Sequence, residues 1–298
     1  MESPNLNSLP APLNEDEFEL FRRGVSDDPA TDVWVNAAGD FAFLNPHPSV
    51  DYSAYKPRVS NHSLSQYKTG LIQSLYRRRT EKLRPWLNEA GAILEVGGGD
   101  GAYLEYLRGV LVPHAAFSMV EPDRNTLEIR RAKAWLDDYV ELAEVEAVGA
   151  RFDIVMMFHV FEHISQPHRF LADVARCLRP GGQMIIEVPC LHDPLLDLFS
   201  CEAYSAFYFQ GQHPFVYSMA SLERVLRVGG FVVTGMVPFQ RYGLENHLTW
   251  LASGRPGGDR ELAHLLAETE DAYIAALEAR GRTDTIIAVT QPKEVLSA

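Results

Sequence analysis

The sequence has 298 residues, 46% of them apolar, enough for one large domain with a substantial core. Its 27 Lys and Arg stand against 40 Asp and Glu, a formal charge of −13 with no basic block, which argues against nucleic acid as partner and for a small-molecule acceptor. Cys177, Cys190 and Cys201 show no C-x-x-C or zinc spacing, the N-terminal stretch is not of signal-peptide composition, and no apolar run approaches the roughly 18–20 residues that span a bilayer. A cytoplasmic chain with reduced thiols and no membrane partner is expected.

Residues 1–62 show no sustained period, only short apolar pieces at 33–35 and 41–44 and a Tyr52/Tyr55 pair. They read as an irregular arm or lid packed on the domain formed by 63–298. Leu64, Tyr67, Leu71, Leu75 and Tyr76 then fall at helical spacing, with Ser63 as N-cap and Pro85 closing the helix. A short apolar strand over 92–96 runs into glycines at 97, 98, 99 and 101, and helical spacing resumes after them. Further strands are expected at 117–120, 139–142, 152–158, 183–188, 231–237 and 285–289, with helices over 123–136, from Pro167, and from Ser218. Pro180-Gly181-Gly182 is expected to stop the second of these helices and Gly229-Gly230 the third. Strand and helix thus alternate, the sign of a parallel sheet covered on both faces. The segments 190–217 and 239–282 stand out as insertions, the latter helical in its second half.

The glycine-rich turn carries the chemistry. A strand, a bend too tight for side chains and a helix make a ligand cradle, because the bend tolerates positive φ and the helix aims free N–H groups at its contents. Gly97, Gly99 and Ala102 satisfy the G-x-G-x-x-G/A dinucleotide pattern, while Glu95, Gly97, Gly99 and Gly101 satisfy E-x-G-x-G-x-G. Glu121, at the end of the next strand, is placed to accept both hydroxyls of a ribose. The turn and Glu121 leave an NAD(P)-dependent oxidoreductase and an S-adenosylmethionine (SAM) enzyme both open.

The remaining motifs resemble one family. Phe152-Asp153-Ile154-Val155, then Phe161-Glu162-His163-Ile164, Leu178-Arg179-Pro180-Gly181-Gly182 and Ile186-Glu187-Val188-Pro189 follow the order found in class I SAM-dependent methyltransferases. Phe161 stands where that family usually has Leu. His213-Pro214-Phe215 and Gly229-Gly230-Phe231 are similar to the family's entry into its sixth strand, and the likeness covers about residues 90–238. It implies a Rossmann-like, seven-stranded, mostly parallel sheet with an antiparallel last strand. It also implies SAM as cofactor and S-adenosylhomocysteine as product. Glu95, Gly97, Gly98, Gly99 and Gly101 would form the SAM turn, Glu121 the ribose ligand, and Pro122 and Asp123 the flank of ribose and adenine. Glu144 is the candidate for the adenine amino group, Phe158 and His159 for the neighbourhood of the sulfonium, and Tyr67 for the SAM carboxylate. A catalytically idle SAM-binding subunit is the alternative from another class.

A hydroxyl acceptor needs a base, and histidine suits that role near neutral pH. His159, His163 and His213 are the candidates, with the Glu162-His163 pair also suited to a structural role. Tyr204, Tyr208 and Tyr217 fall in an aromatic-rich run, and Arg241, Tyr242, Asn246 and His247 in a run rich in hydrogen-bonding groups. These seven are the candidate acceptor contacts, and they suit a polyhydroxylated molecule such as a sugar or glycan precursor. Trp250 and Pro256-Gly257-Gly258 bear a weaker resemblance to methyltransferases of polysaccharide and sugar biosynthesis. The insertion over 239–282 also suits a homodimer interface. No metal is expected, since no carboxylate/histidine cluster has clear ligand spacing.

Overall fold

The protein is described by a computed structural model covering residues 4–47, 66–149, 151–256 and 260–293. Its elements are β1 (Phe18–Arg22), β2 (Asp32–Asn36), β3 (Phe41–Asn45), α1 (Gln66–Leu87), β4 (Ala92–Val96), α2 (Ala102–Val110), β5 (Ala116–Val120), α3 (Leu127–Arg131), β6 (Leu136–Tyr139), α4 (Leu142–Ala147) and β7 (Phe152–Phe158). They continue with α5 (Pro167–Cys177), β8 (Leu178–Pro189), α6 (Pro194–Asp197), α7 (Glu202–Tyr208), β9 (Phe215–Tyr217), α8 (Met219–Val228), β10 (Phe231–Phe239), α9 (Leu244–Ser253), α10 (Arg260–Glu278) and β11 (Thr285–Pro292). Seven strands form one sheet in the order β10-β11-β8-β7-β4-β5-β6, mostly parallel and antiparallel at its end. This is the expected Rossmann-like α/β architecture.

The chain divides into two compact units, one of residues 51–158, 171–186 and 289–298, the other of 1–50, 159–170 and 187–288. In the first, β4 pairs in parallel with β5 on one side and β7 on the other. Every residue of β4 is buried, as befits a central parallel strand. Leu83 and Leu87, one helical turn apart, are fully buried and hold the last turn of α1 past Pro85. The proline therefore removes one helical N–H without ending the helix. Ser63 and the Tyr52/Tyr55 pair lie outside the described residues.

Two other expectations are corrected. The helix expected over 123–136 shrinks to a 3₁₀ turn and α3, and the third strand begins at Leu136 rather than 139. Trp135, assigned to that helix, instead packs edge-on against Phe117 of β5, 5.6 Å between ring centres. The strand after α5 begins at Leu178, so Pro180-Gly181-Gly182 lies inside β8 and the helix has already ended at Cys177. A Cβ on Gly182 would meet the carbonyl oxygens of Arg179 and Phe152 at 2.9 Å. Backbone packing, not helix termination, requires that glycine.

In the second unit the arm is not irregular: β1, β2, β3 and β9 make a four-stranded antiparallel sheet. The register Phe41↔Tyr217, Ala42↔Val216, Phe43↔Phe215 ties it to a strand far along the chain. Asn36, 2% exposed, closes the β2–β3 turn by accepting from the Asp40 and Phe41 N–H groups and donating to Asp16 and Asp40. Ser218 caps α8 through a reciprocal box with Ser221. Cys177, Cys190 and Cys201 are buried and unpaired, as expected. Among the described residues no helix is long and apolar enough to cross a membrane.

Candidate active site

The glycine turn follows β4 and leads into α2. Gly97, Gly99 and Gly101 have φ of 73°, 61° and 74°, so the bend uses left-handed backbone at alternate positions. Gly97 N–H reaches the Val120 carbonyl at 2.7 Å, and Gly101 N–H reaches that of Gly98 at 2.9 Å. A Cβ on Gly98 would lie 2.3 Å from Met119 Sδ and 2.9 Å from Glu95 Oε2, so any side chain there displaces two buried neighbours. A Cβ on Gly99 would meet nothing within 4 Å. Gly99 therefore faces open space at the mouth of the bend.

Glu121, the residue after β5, ties this bend to the next loop. Its Oε2 accepts from Gly99 N–H at 2.7 Å and its Oε1 from Asp123 N–H at 2.8 Å. Burial raises its pKa, while these two bonds oppose the shift. Thr126 donates to the Gly99 carbonyl at 2.9 Å. Arg130, 1% exposed, reaches Thr126, the carbonyls of Asp123 and Glu121, and the Asp138 carboxylate at 2.8 Å. Thr126 and Arg130 escaped the sequence reading because nothing in the Arg124–Arg131 stretch separates a buried arginine from solvated ones. Pro122 and Glu144 are exposed, and the Glu144 carboxylate accepts from Val140 N–H at 2.7 Å.

Phe158 ends β7, with the Arg79 guanidinium 4.4 Å above its ring and the Tyr103 ring edge-on at 5.1 Å. Arg79 is buried and was missed as one of three consecutive arginines on α1. Tyr67 also lies on α1, but its side chain is outside the described residues. Glu95 is 4% exposed, and its Oε2 has no hydrogen-bond partner. Burial pushes its carboxyl up to about 8, against the pull of Arg79, with Glu121 and Asp100 adding to the rise. A buried carboxyl oxygen without a partner beside an open backbone bend fits a cationic nucleoside such as SAM.

The Glu95 shift sets a pH dependence for the ligand-free protein. Its folded pKa exceeds the unfolded value of about 4.5, so the folded state holds the proton more tightly between the two. That stability is complete below about 4.5 and is lost as pH rises through 8. Glu95→Gln should therefore melt above wild type at pH 8.5 and converge with it near pH 5. Parallel melting curves across that range check the prediction.

The second unit holds the candidate histidines. His159 directly follows β7 with φ of 57°, a left-handed backbone rare outside glycine and asparagine. It is held there by its N–H to the Glu187 carbonyl at 2.8 Å. Its Nδ1 lies 3.3 Å from Glu162 Oε1, and its Nε2 lies 3.1 Å from Glu187 Oε1 and 2.7 Å from Arg241 Nη1. Nε2 thus meets a donor, Arg241, and an acceptor, Glu187, so the ring sits between two carboxylates and a guanidinium. His163 Nδ1 reaches the Gln212 carbonyl at 2.6 Å, and its ring packs edge-on against His213 at 4.7 Å. Burial pushes His213 down to about 4, so it is neutral at physiological pH. Facing His159, His163 and His213 keep the fully buried Glu162 below the ordinary carboxylate range despite desolvation.

The acceptor candidates divide. Tyr204 and Tyr208 are buried with Phe209, Trp250 and Leu195 in a hydrophobic cluster, their hydroxyls donating to Asp193 and to the Cys190 carbonyl. Tyr217 is fully buried and its hydroxyl has no partner. These three rings hold the unit together. Arg241 and Tyr242 are fastened through their N–H groups to Asp284, while Tyr242 remains 47% exposed. Asn246 is half-buried on α9, and the buried His247 bonds the Tyr273 hydroxyl at 2.7 Å. Asp284, missed in the sequence, also accepts from Gln240 and Thr285 and organises this loop.

A family model described as a methyltransferase domain matches residues 69–235. A ubiquinone biosynthesis O-methyltransferase of Maricaulis maris (strain MCS10) is 34% identical over 102 residues, covering 31% of this chain and 38% of that one. Its counterpart from Parvibaculum lavamentivorans is 27% identical over 156 residues, 51% of this chain and 56% of that one. The chain thus spans about half or less of these relatives' length. Among solved structures, a SAM-dependent methyltransferase from Archaeoglobus fulgidus aligns at 17% identity and TM-score 0.49, covering 76% of this chain and 99% of that one. The plantazolicin methyltransferase BpumL, in complex with a substrate analogue and SAH, aligns at 13% identity and TM-score 0.48, over 77% and 86%. With its Rossmann-like sheet and a family match across more than half its length, the chain belongs to the methyltransferase domain family.

Proposed function

We propose that this chain transfers the methyl group of SAM to a hydroxyl oxygen of a small polar acceptor, releasing S-adenosylhomocysteine. The observation that carries this reading is the buried, unpartnered Glu95 Oε2 beside the open Gly99 bend, with Glu121 at the end of β5. SAM supplies an activated methyl group: the acceptor oxygen forms the new O–C bond as the S–C bond breaks and its electron pair returns to sulfur. Glu95 holds the ammonium of the methionine end, Gly97 to Gly101 admit the chain backbone close to it, and Glu121 accepts from the ribose. A carboxylate offers about four acceptor sites, so Glu121 serves the ribose while keeping its two loop bonds. The hydroxyl proton passes to a general base, for which His159 is the candidate.

Since the Glu95 carboxyl titrates at about 8, pairing it with an ammonium at pH 7 drives off its proton. SAM binding should release nearly one proton per site, seen by calorimetry in buffers of different ionisation heat. The hydrogen-bonding run at Arg241, Tyr242 and Asn246 supports a sugar or glycan-precursor hydroxyl, and the relatives named ubiquinone biosynthesis O-methyltransferase support oxygen as the methylated atom. The functional test is transfer of labelled methyl from SAM to a panel of sugar and phenolic hydroxyls. Labelled product from either class supports O-methyl transfer. Retention of NADH in place of SAM contradicts it, and tight SAM binding with no transfer to any acceptor supports an idle subunit.

A further inference from the structure

We propose that Glu162, His163 and His213 bind one divalent transition-metal ion. Each offers one ligand atom, and the three atoms lie within 4.8 Å of one another. Glu162 and His163 come from the 3₁₀ turn after His159, and His213 from the segment that enters β9. All three belong to the same compact unit.

The second observation is the state of Glu162. The residue is 1% exposed, its Oε1 takes the His159 contact, and its Oε2 has no hydrogen-bond partner. An ionised carboxylate oxygen buried without a partner is costly, and a cation is the most direct remedy. The histidines are set for ligation as well. Donation from Nδ1 to the Gln212 carbonyl fixes the His163 tautomer and makes Nε2 the basic nitrogen, the arrangement in which a ligating imidazole is oriented by a carbonyl behind it. His159 orients Glu162 in the same way, through the carboxylate oxygen that does not ligate. His159 is thus a positioning residue.

Two imidazoles and one carboxylate favour zinc, cobalt, iron or manganese over magnesium or calcium, which prefer an all-oxygen shell. Bonds of about 2.0–2.2 Å require the three side chains to draw together slightly, within ordinary rotamer freedom. Three protein ligands leave coordination positions open, as at catalytic metal sites. The sequence hid the site because its third ligand lies one insertion away from the Glu162-His163 pair.

The test uses the full chain stripped with chelator and titrated with cobalt chloride, read by visible ligand-field absorption, with zinc as competitor. The expected result is about one equivalent of cobalt per chain, displaced by zinc. Glu162→Gln and His213→Ala should each weaken binding by at least about 10–100-fold, the scale of losses at metal shells. Circular dichroism melting of the same samples checks folding, and His163→Gln replaces any variant that fails to fold. Absence of cobalt absorption in the folded wild type, or wild-type binding by folded variants, overturns the proposal. SAM calorimetry on the same preparation separates the claims. Bound SAM without cobalt defeats the metal site alone, and cobalt without SAM defeats the methyl-transfer reading alone.

Discussion

Gly99→Val is expected to weaken SAM binding by at least about 100-fold, some 2.7 kcal/mol, while leaving the fold intact. The argument rests on space. No protein atom lies within 4 Å of a Cβ built on Gly99, so the isopropyl group points into the mouth of the bend and displaces no packed neighbour. The backbone there has φ of 61°, so the valine pays about 1–2 kcal/mol or slightly more in left-handed strain, a drop of a few degrees in melting temperature for a chain of this size. Gly99→Ala shares most of the strain but fills little of the mouth, and it should retain much more affinity than the valine variant. Calorimetry with SAM and melting of both variants separate the two effects. Wild-type affinity in Gly99→Val would place the ligand elsewhere.

Glu121→Ala should fail differently, losing SAM affinity and stability together. Its carboxylate bonds Gly99 N–H at 2.7 Å and Asp123 N–H at 2.8 Å, so alanine releases both loops. Charge-assisted bonds of this kind contribute about 1.5–3 kcal/mol each, and water recovers part of that once the loops loosen. A net destabilisation of about 1–3 kcal/mol is expected in urea titration, with at least about 100-fold weaker SAM binding because the ribose hydroxyls lose their acceptor as well. Glu121→Gln keeps the shape and one acceptor oxygen but turns an amide N–H toward a backbone N–H. It should fall between wild type and alanine in both measurements. Alanine at wild-type affinity with the expected loss of stability would confine Glu121 to a structural role.

How much of this was legible follows from how local each feature is. The cradle is written into one short stretch, where an apolar strand, alternating glycines and a helix start leave the backbone little choice. Glu121 is nearly as local, because it ends the neighbouring strand. The strand at β7 was legible from its almost continuous apolar run, broken only by Asp153, and α8 from its serine cap and glycine stop. What escaped depends on partners distant in the chain. The pieces at 33–35 and 41–44 look too short to stand alone, and they become β2 and β3 because β9 closes their sheet. Pro85 looked like a helix end because its effect on the backbone is local, whereas the burial of Leu83 and Leu87 that overrides it is tertiary. Arg79 and Arg130 resemble solvated charges until the fold buries them against a ring and a carboxylate. The left-handed turn at His159 carried only a weak sequence signal, since no glycine marks it. The aromatic density over 199–217 goes in part into the core, where Tyr204 lies edge-on to Trp250 and Tyr208 belongs to the same buried cluster.

The most direct measurement is a crystal structure of the chain soaked with S-adenosylhomocysteine. The ribose hydroxyls should lie within hydrogen-bond distance of Glu121, and the amino group should meet Glu95 Oε2. The nucleoside at another place on the protein, or Gly97 to Gly101 collapsed onto the protein's own side chains, would contradict the assignment.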